Sequence, residues 1–178
     1  MMTKELIIGL GGAGNNVLND LFDNGYVNLL LISPDKENIK TSSVQNKVHY
    51  KIEESKDIIK SFENNKEEID LFLKDSNKVH LIAGLGGTFA TTLFPVISDY
   101  LKSKDVAVNG IVFMPFNIEG PEKIKKSKNA ITTIEKKVDS INIINLQEQF
   151  SEPELGQGSN IVLELFDIVN KKVKGFIN

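Results

Sequence analysis

Apolar residues fall along this chain in two alternating rhythms. Short, mostly apolar runs occur at Leu6-Ile7-Ile8, Val27 to Ile32, Val79 to Ile82, Val106 to Met114 and Ile141 to Ile144, with Gly, Pro, Asp or Asn close by. Runs of that length with such boundaries predict buried strands. Val48 to Ile52 alternates and predicts a shorter, more exposed third strand in chain order. Between the runs the period lengthens. Val17 with Leu21, and Leu18 with Phe22, pair at four-residue spacing, which predicts a helix from about Gly14 to Asn24, ended by Gly25. Leu93, Val96, Ile97, Tyr100 and Leu101 predict another, with Pro95 in its first turn, where proline is tolerated. Pro121 is placed to open a third. Glu53 to Asp75 is rich in charge, with scattered Ile58, Ile59, Phe62, Ile69, Leu71 and Phe72, and predicts one or two surface helices. A loop from Gln147 to Ser159 is expected to lead into a last helix. Strands alternating with helices predict an α/β fold: a three-layer, Rossmann-like, mostly parallel sheet with helices on both faces. With no repeats or linkers, residues 1–178 are expected to form a single domain.

Composition narrows the chemistry. The 178 residues carry a net charge of −3, which speaks against a nucleic-acid binder with its usual basic face. There is no cysteine, so disulfides and thiolate metal sites are excluded, and His49 and His80 sit in strand-like runs, so no metal site is expected. No stretch reaches the roughly 20 apolar residues of a membrane span, and Met1 to Lys4 lacks the layout of a secretory leader. A cytoplasmic location is expected.

The candidate chemistry begins at Gly9-Leu10-Gly11-Gly12-Ala13-Gly14, a G-x-G-x-x-G sequence between a predicted strand and a predicted helix. Glycines let backbone approach a phosphate, and the helix start offers unpaired N–H groups and a positive dipole end. Taken alone, this motif fits a dinucleotide-binding domain, and Asp35 lies near the place of a ribose-binding acid.

A second glycine loop follows the fourth strand: Ala83-Gly84-Leu85-Gly86-Gly87-Thr88-Phe89-Ala90-Thr91-Thr92. Here the chain resembles the tubulin/FtsZ family, whose loop at this place reads GGGTGTG. Gly11 to Asn16 resembles that family's first glycine loop with its asparagines, and Pro115-Phe116-Asn117-Ile118-Glu119-Gly120 resembles its PFxFEG turn. The resemblance implies a cytoskeletal, cell-division type of protein that binds GTP or GDP, with or without magnesium. It implies that Gly11, Gly12 and Gly14 line the α- and β-phosphates and that Asn16 reaches toward the base or sugar. Gly86, Gly87, Thr88 and Thr91 would wrap the phosphate chain, Glu119 would bond the ribose, and Lys123 stands where the family commonly has arginine. No catalytic residue is assigned.

Departures qualify that reading. Against GGGTGTG, three glycines become Thr88, Ala90 and Thr92, and Phe89 replaces a hydroxyl residue. Each position that needs positive φ would be strained by about 1–2 kcal/mol. The glycine loop that the family places after its third strand has no counterpart, since Lys51 to Lys66 contains no glycine. On the last helix Val162 falls where the family stacks an aromatic on guanine, and Phe166 falls where an Asn or Asp reads the base, with Asp167 one step away. The sequence given ends at Asn178, before the family's acidic catalytic loop, so hydrolysis is expected to be weak or absent unless Glu148, Glu152 and Glu154 take that part. Two stripes are expected on this helix: Ile161, Leu165, Ile168 and Val169 on the sheet, and Val162, Phe166, Val173 and Phe176 on a second surface offered to a homodimer or protein partner. Two other readings remain open: a nucleotide-free pseudo-GTPase that regulates a partner's assembly, and an NAD-binding oxidoreductase domain.

Overall fold

A computed structural model of the chain describes residues 4–53, 56–150 and 161–178. Six strands, β1 (Glu5–Leu10), β2 (Leu29–Ser33), β3 (Asn46–His49), β4 (Lys78–Gly84), β5 (Ala107–Met114) and β6 (Ser140–Asn145), form one sheet. The order is β3-β2-β1-β4-β5-β6, and every pairing is parallel. The inner strands are buried on both faces, which is why they read as continuous apolar runs rather than alternating ones. The sheet and its flanking helices form the expected α/β fold.

Two cores result, one on each face of the sheet. Ile8, Leu30 and Leu81 point to one face, under α3 (Phe62–Leu73), α4 (Phe89–Ser103) and α5 (Pro121–Ile134), while Ile7, Leu31 and Ile82 point to the other. That second face is covered by α1 (Gly11–Asp23) and α7 (Ile161–Ile177). The order reverses between β1 and β4, so the chain leaves these neighbouring strands toward opposite faces.

Several elements differ from expectation. A six-residue helix, α2 (Lys36–Thr41), follows β2, and Asp35 caps it by accepting from the Glu37 N–H at 2.8 Å. α1 begins at Gly11, three residues early, and Phe22 is 38% exposed instead of sharing the face of Leu18. β3 sits two residues early, and one helix, α3, spans the charged region, with Ile58 in the core but Ile59 and Leu71 exposed. α4 starts at Phe89, which moves Pro95 from the first turn into the second. Residues 146–150 form a short helix, α6, instead of loop.

The last helix needs the largest correction. Its buried stripe is Leu165, Val169, Val173 and Ile177, so Val173 belongs to the core and not to a second surface. Phe166 and Phe176 remain exposed, at 43% and 36%. The side chains of Ile161 and Val162, and all of Glu152 and Glu154, lie outside the described residues. The foot of α7 is fixed to the base of the sheet. Lys174 pairs with Asp20 of α1 at 2.8 Å, Asn109 of β5 donates to the Phe176 carbonyl at 3.3 Å, and Tyr26 bonds Asn178.

Candidate functional site: a cleft between two glycine loops and the last helix

The first glycine loop is built by close approach. A Cβ on Gly14 would stand 2.6 Å from the carbonyl carbon of Gly9 and 3.2 Å from the Ile82 oxygen. Gly14 is buried, so it lets α1 pack tightly on β1 and β4, while Gly12 and Ala13 are left at the surface and Gly11 is half-buried. No side chain caps α1, and its first N–H groups have no partner within the helix.

The second loop is four residues, Leu85 to Thr88, between β4 and α4. Gly86 has φ +100°, and a Cβ there would meet Ser127 Oγ at 3.1 Å and the Lys123 oxygen at 3.3 Å. Its N–H donates to Thr91 Oγ1 at 3.0 Å, inside the protein. Thr88, Ala90 and Thr92 take negative φ, the last two within α4, so the lost glycines bring no strain. α4, like α1, has no side-chain cap. Lys126 approaches the Thr88 hydroxyl at 3.5 Å.

The two loops touch. A Cβ on Gly84 would lie 2.7 Å from that of Ala13, and the Phe89 ring passes 3.7 Å from the Cβ position of Gly11. Phe89 packs edge-on against Tyr50, whose ring is buried and whose hydroxyl donates to the Ile58 carbonyl at 2.6 Å. The chain after β3 is held by such side-chain bonds, among them Asn65 to both backbone groups of Lys51, where glycines were absent.

Beside the loops opens a cleft of about 710 Å³, within the range of sites for small organic ligands. Of the expected site residues it brings together Asn16, Gly87, Glu119 and Lys123. Gly11, Gly12, Gly14, Gly86, Thr88 and Thr91 are not among the residues that line it. Glu119 follows β5 on a short 3₁₀ turn, Asn117–Glu119, where it accepts from the Phe116 N–H and from Lys123 Nζ, both at 3.0 Å. It is the one carboxylate among the described lining residues, and both its oxygens are engaged. The inner wall is apolar: Val17, Phe113, Leu146, Leu165, Phe166 and Val169.

Sequence reading missed Asn170 in this wall, together with Ala13, Leu85 and Gln147. The available signal was spacing, since Asn170 lies one turn after Phe166 on α7. The alternative acid, Asp35, is occupied as the cap of α2. Among the described residues no cluster of three acidic or imidazole groups could hold a metal, and His49 bonds the Pro34 carbonyl at 3.2 Å. No helix among them is long and apolar enough to cross a membrane.

Comparison with known proteins places this geometry. The family model described as Tubulin/FtsZ family, GTPase domain, matches residues 4–150. The cell division protein FtsZ of Aquifex aeolicus is 28% identical over 153 residues, covering 80% of this chain and 42% of the relative. That of Rickettsia bellii is 26% identical over 155 residues, covering 81% and 34%. The chain therefore spans less than half the length of these curated relatives. Among solved structures, an empty FtsZ dimer from M. jannaschii superposes with a TM-score of 0.84 at 21% identity, covering 99% of this chain and 55% of that one. A GTPγS-bound protofilament of CetZ2 from Haloferax volcanii gives 0.77 at 19% identity, covering 96% and 56%.

Proposed function

This chain belongs to the tubulin/FtsZ family, and on that premise we propose that it binds GTP or GDP in the cleft beside its two glycine loops and hydrolyses GTP slowly or not at all. One observation carries the reading: two uncapped helix starts, α1 and α4, meet where the strand order reverses, beside a cleft of nucleotide size. Parallel α/β sheets bind ligands at that place, outside the carboxyl ends of the strands. Helix starts without caps present free N–H groups and a positive dipole end to phosphate. Gly11, Gly12 and Gly87 are the backbone positions offered to the phosphates, with Thr88 beside them. Glu119 and Lys123 stand at the sugar end, and Asn16 lies on the cleft's α1 side. Magnesium would ride on the phosphates, since the described residues supply no carboxylate cage of their own.

Slow hydrolysis follows from the lining. Glu119 is committed to Phe116 and Lys123, which leaves no described lining carboxylate to orient an attacking water. Assembly with copies of itself or with another protein, in the cytoplasm, extends the same proposal.

The pseudo-GTPase reading has one specific support, the Gly86 N–H spent on Thr91 instead of being left for a phosphate. The dinucleotide reading loses its acid, because Asp35 caps α2. Thermal unfolding separates the three. GDP at about a hundred times its dissociation constant adds roughly 2.7 kcal/mol of stability. Stabilisation by GDP or GTP and not by NAD supports the proposal, stabilisation by NAD alone defeats it, and no effect from any at millimolar concentration favours the pseudo-GTPase.

A further inference from the structure

We infer that Phe89 closes the phosphate end of the site behind a second phosphate, so that this chain takes nucleoside diphosphates in preference to triphosphates. The inference rests on the nucleotide-binding reading above and names the substrate class of the same site.

Phe89 is the first residue of α4, and its ring reaches across to the first residue of α1. A Cβ on Gly11, which has φ +65°, would lie 3.7 Å from Phe89 Cδ1, so the ring fills the space that a side chain would take there. An apolar group therefore bridges the two helix starts. Behind it stands Tyr50, with the ring centroids 5.1 Å apart and only 1% of Tyr50 exposed.

The polar groups on that side of the loops are already in use. The Tyr50 hydroxyl donates to the Ile58 carbonyl at 2.6 Å. Asn38 Nδ2, which is 3.7 Å from the Cβ position of Gly12, donates to Ser33 Oγ at 3.3 Å. The cations come from the other side, on α5: Lys123 pairs with Glu119, and Lys126 approaches the Thr88 hydroxyl at 3.5 Å.

A phosphate chain entering from the cleft passes Ala13 and Gly87, which line it, before it reaches Phe89, which does not. Helix starts hold phosphate through free N–H groups and a positive dipole end. Ala13 in the first turn of α1 and Gly87 just before α4 give the chain two such places, one at each helix start. A third phosphate would lie against the ring, its charge stripped of water with no donor in exchange, and burying an unpaired charge is costly. The second phosphate adds affinity and the third removes it.

The test is calorimetric titration of the full chain at pH 8, in magnesium buffer, with GMP, GDP and GTP, repeated on Phe89→Ala and Phe89→Leu. The wild type is expected to bind GDP at least about tenfold more tightly than either GMP or GTP. Phe89→Ala gains about tenfold or more for GTP while its GDP affinity changes by less than about threefold, so the preference closes. Phe89→Leu keeps an apolar cover on Tyr50 and gains less, and it decides the matter alone if Phe89→Ala does not fold. A wild type that binds GTP as tightly as GDP overturns the inference whatever the variants do, while the nucleotide proposal stands. A wild type that prefers GDP, with the folded variants keeping its ratio, removes Phe89 from the discrimination. If the wild type binds none of the three at millimolar concentration, the nucleotide proposal and this inference both fall.

Discussion

The hydroxyl of Thr91 accepts the N–H of Gly86 at 3.0 Å, so the first turn of α4 holds the bend of the loop that precedes it. Both residues are buried. Thr91→Val keeps the shape and removes the acceptor, which leaves a buried donor unsatisfied at a cost of about 1–3 kcal/mol. Urea denaturation should report that loss, with Thr91→Ser close to the wild type. Equal losses in the two variants would mean the methyl group matters and the hydroxyl does not.

Neighbouring glycines should answer differently to the same change. Gly86→Ala combines positive φ with a Cβ 3.1 Å from Ser127 Oγ, and it is expected to destabilise the fold by at least about 1–2 kcal/mol. At Gly87 a Cβ meets nothing within 4 Å, and φ is not positive. Gly87→Ala should therefore keep its thermal midpoint while weakening GDP binding, because the added methyl occupies the phosphate side of the cleft. A Gly87→Ala protein with unchanged GDP affinity would move the phosphates elsewhere.

Acid should loosen the base of the sheet in a defined window. Asn109 Oδ1 accepts from Ser140 and Asn142, so its Nδ2 faces His80 Nδ1, which must accept; the His80 Nε2–H then donates to Glu5 at 3.2 Å. A second ring proton would point at the amide donor. Burial above all holds the His80 pKa below its ordinary value of 6.5, despite the Glu5 carboxylate. Its unfolded form takes up the proton first, so stability is full above about pH 6.5 and falls as pH drops below it. Glu5, held low chiefly by Lys78, adds a further loss below its ordinary value of 4.5. Thermal midpoints from pH 8 to 5 should decline in the wild type and flatten above pH 5 in His80→Gln. A wild type that is flat from pH 8 to 5 would contradict the neutral histidine.

Turnover of GTP should be slow and independent of protein concentration. The cleft's described carboxylate already serves Phe116 and Lys123, and positioned groups are what accelerate phosphoryl transfer. Phosphate release that climbs steeply with protein concentration would show a neighbouring copy completing the site.

Self-association through α7 is left with less surface than its sequence promised. Val173 is buried and Phe166 faces the cleft, which leaves Phe176 as the exposed apolar residue near the foot. Sedimentation of the wild type beside Phe176→Glu tests it: a dimer that dissociates in the variant supports the contact, and a wild type monomeric at high micromolar concentration removes it.

The sheet was legible because strands buried on both faces, such as Leu29 to Ile32, cannot be written without consecutive apolar residues. The glycine loops were legible because their requirements are local. α2 was not, since six residues with Ile39 as their one apolar member carry no periodic signal, and its formation turns on the cap from Asp35. The start of α4 was hidden because Gly-Gly-Thr-Phe-Ala-Thr-Thr reads as loop, although its residues after Gly87 suit a helix once a strand delivers them. Asn170 escaped notice for a different reason. Its meaning depends on how α7 docks across α1 and the sheet, a long-range fact that no window of sequence contains.

That docking gives α7 a foot tied by polar bonds and a shoulder packed on the core beside the cleft. Lys174 to Asp20, Asn109 to the Phe176 carbonyl, and Tyr26 to Asn178 anchor one end, while Phe166 and Asn170 line the cleft near the other. From Phe166 to Phe176 the helix rises about 15 Å. The Asn109 side-chain amide, bonded to His80 on one side and to the Phe176 carbonyl on the other, joins this helix end to the buried histidine, so a shift of α7 on nucleotide binding should be readable in the NMR resonance of that amide.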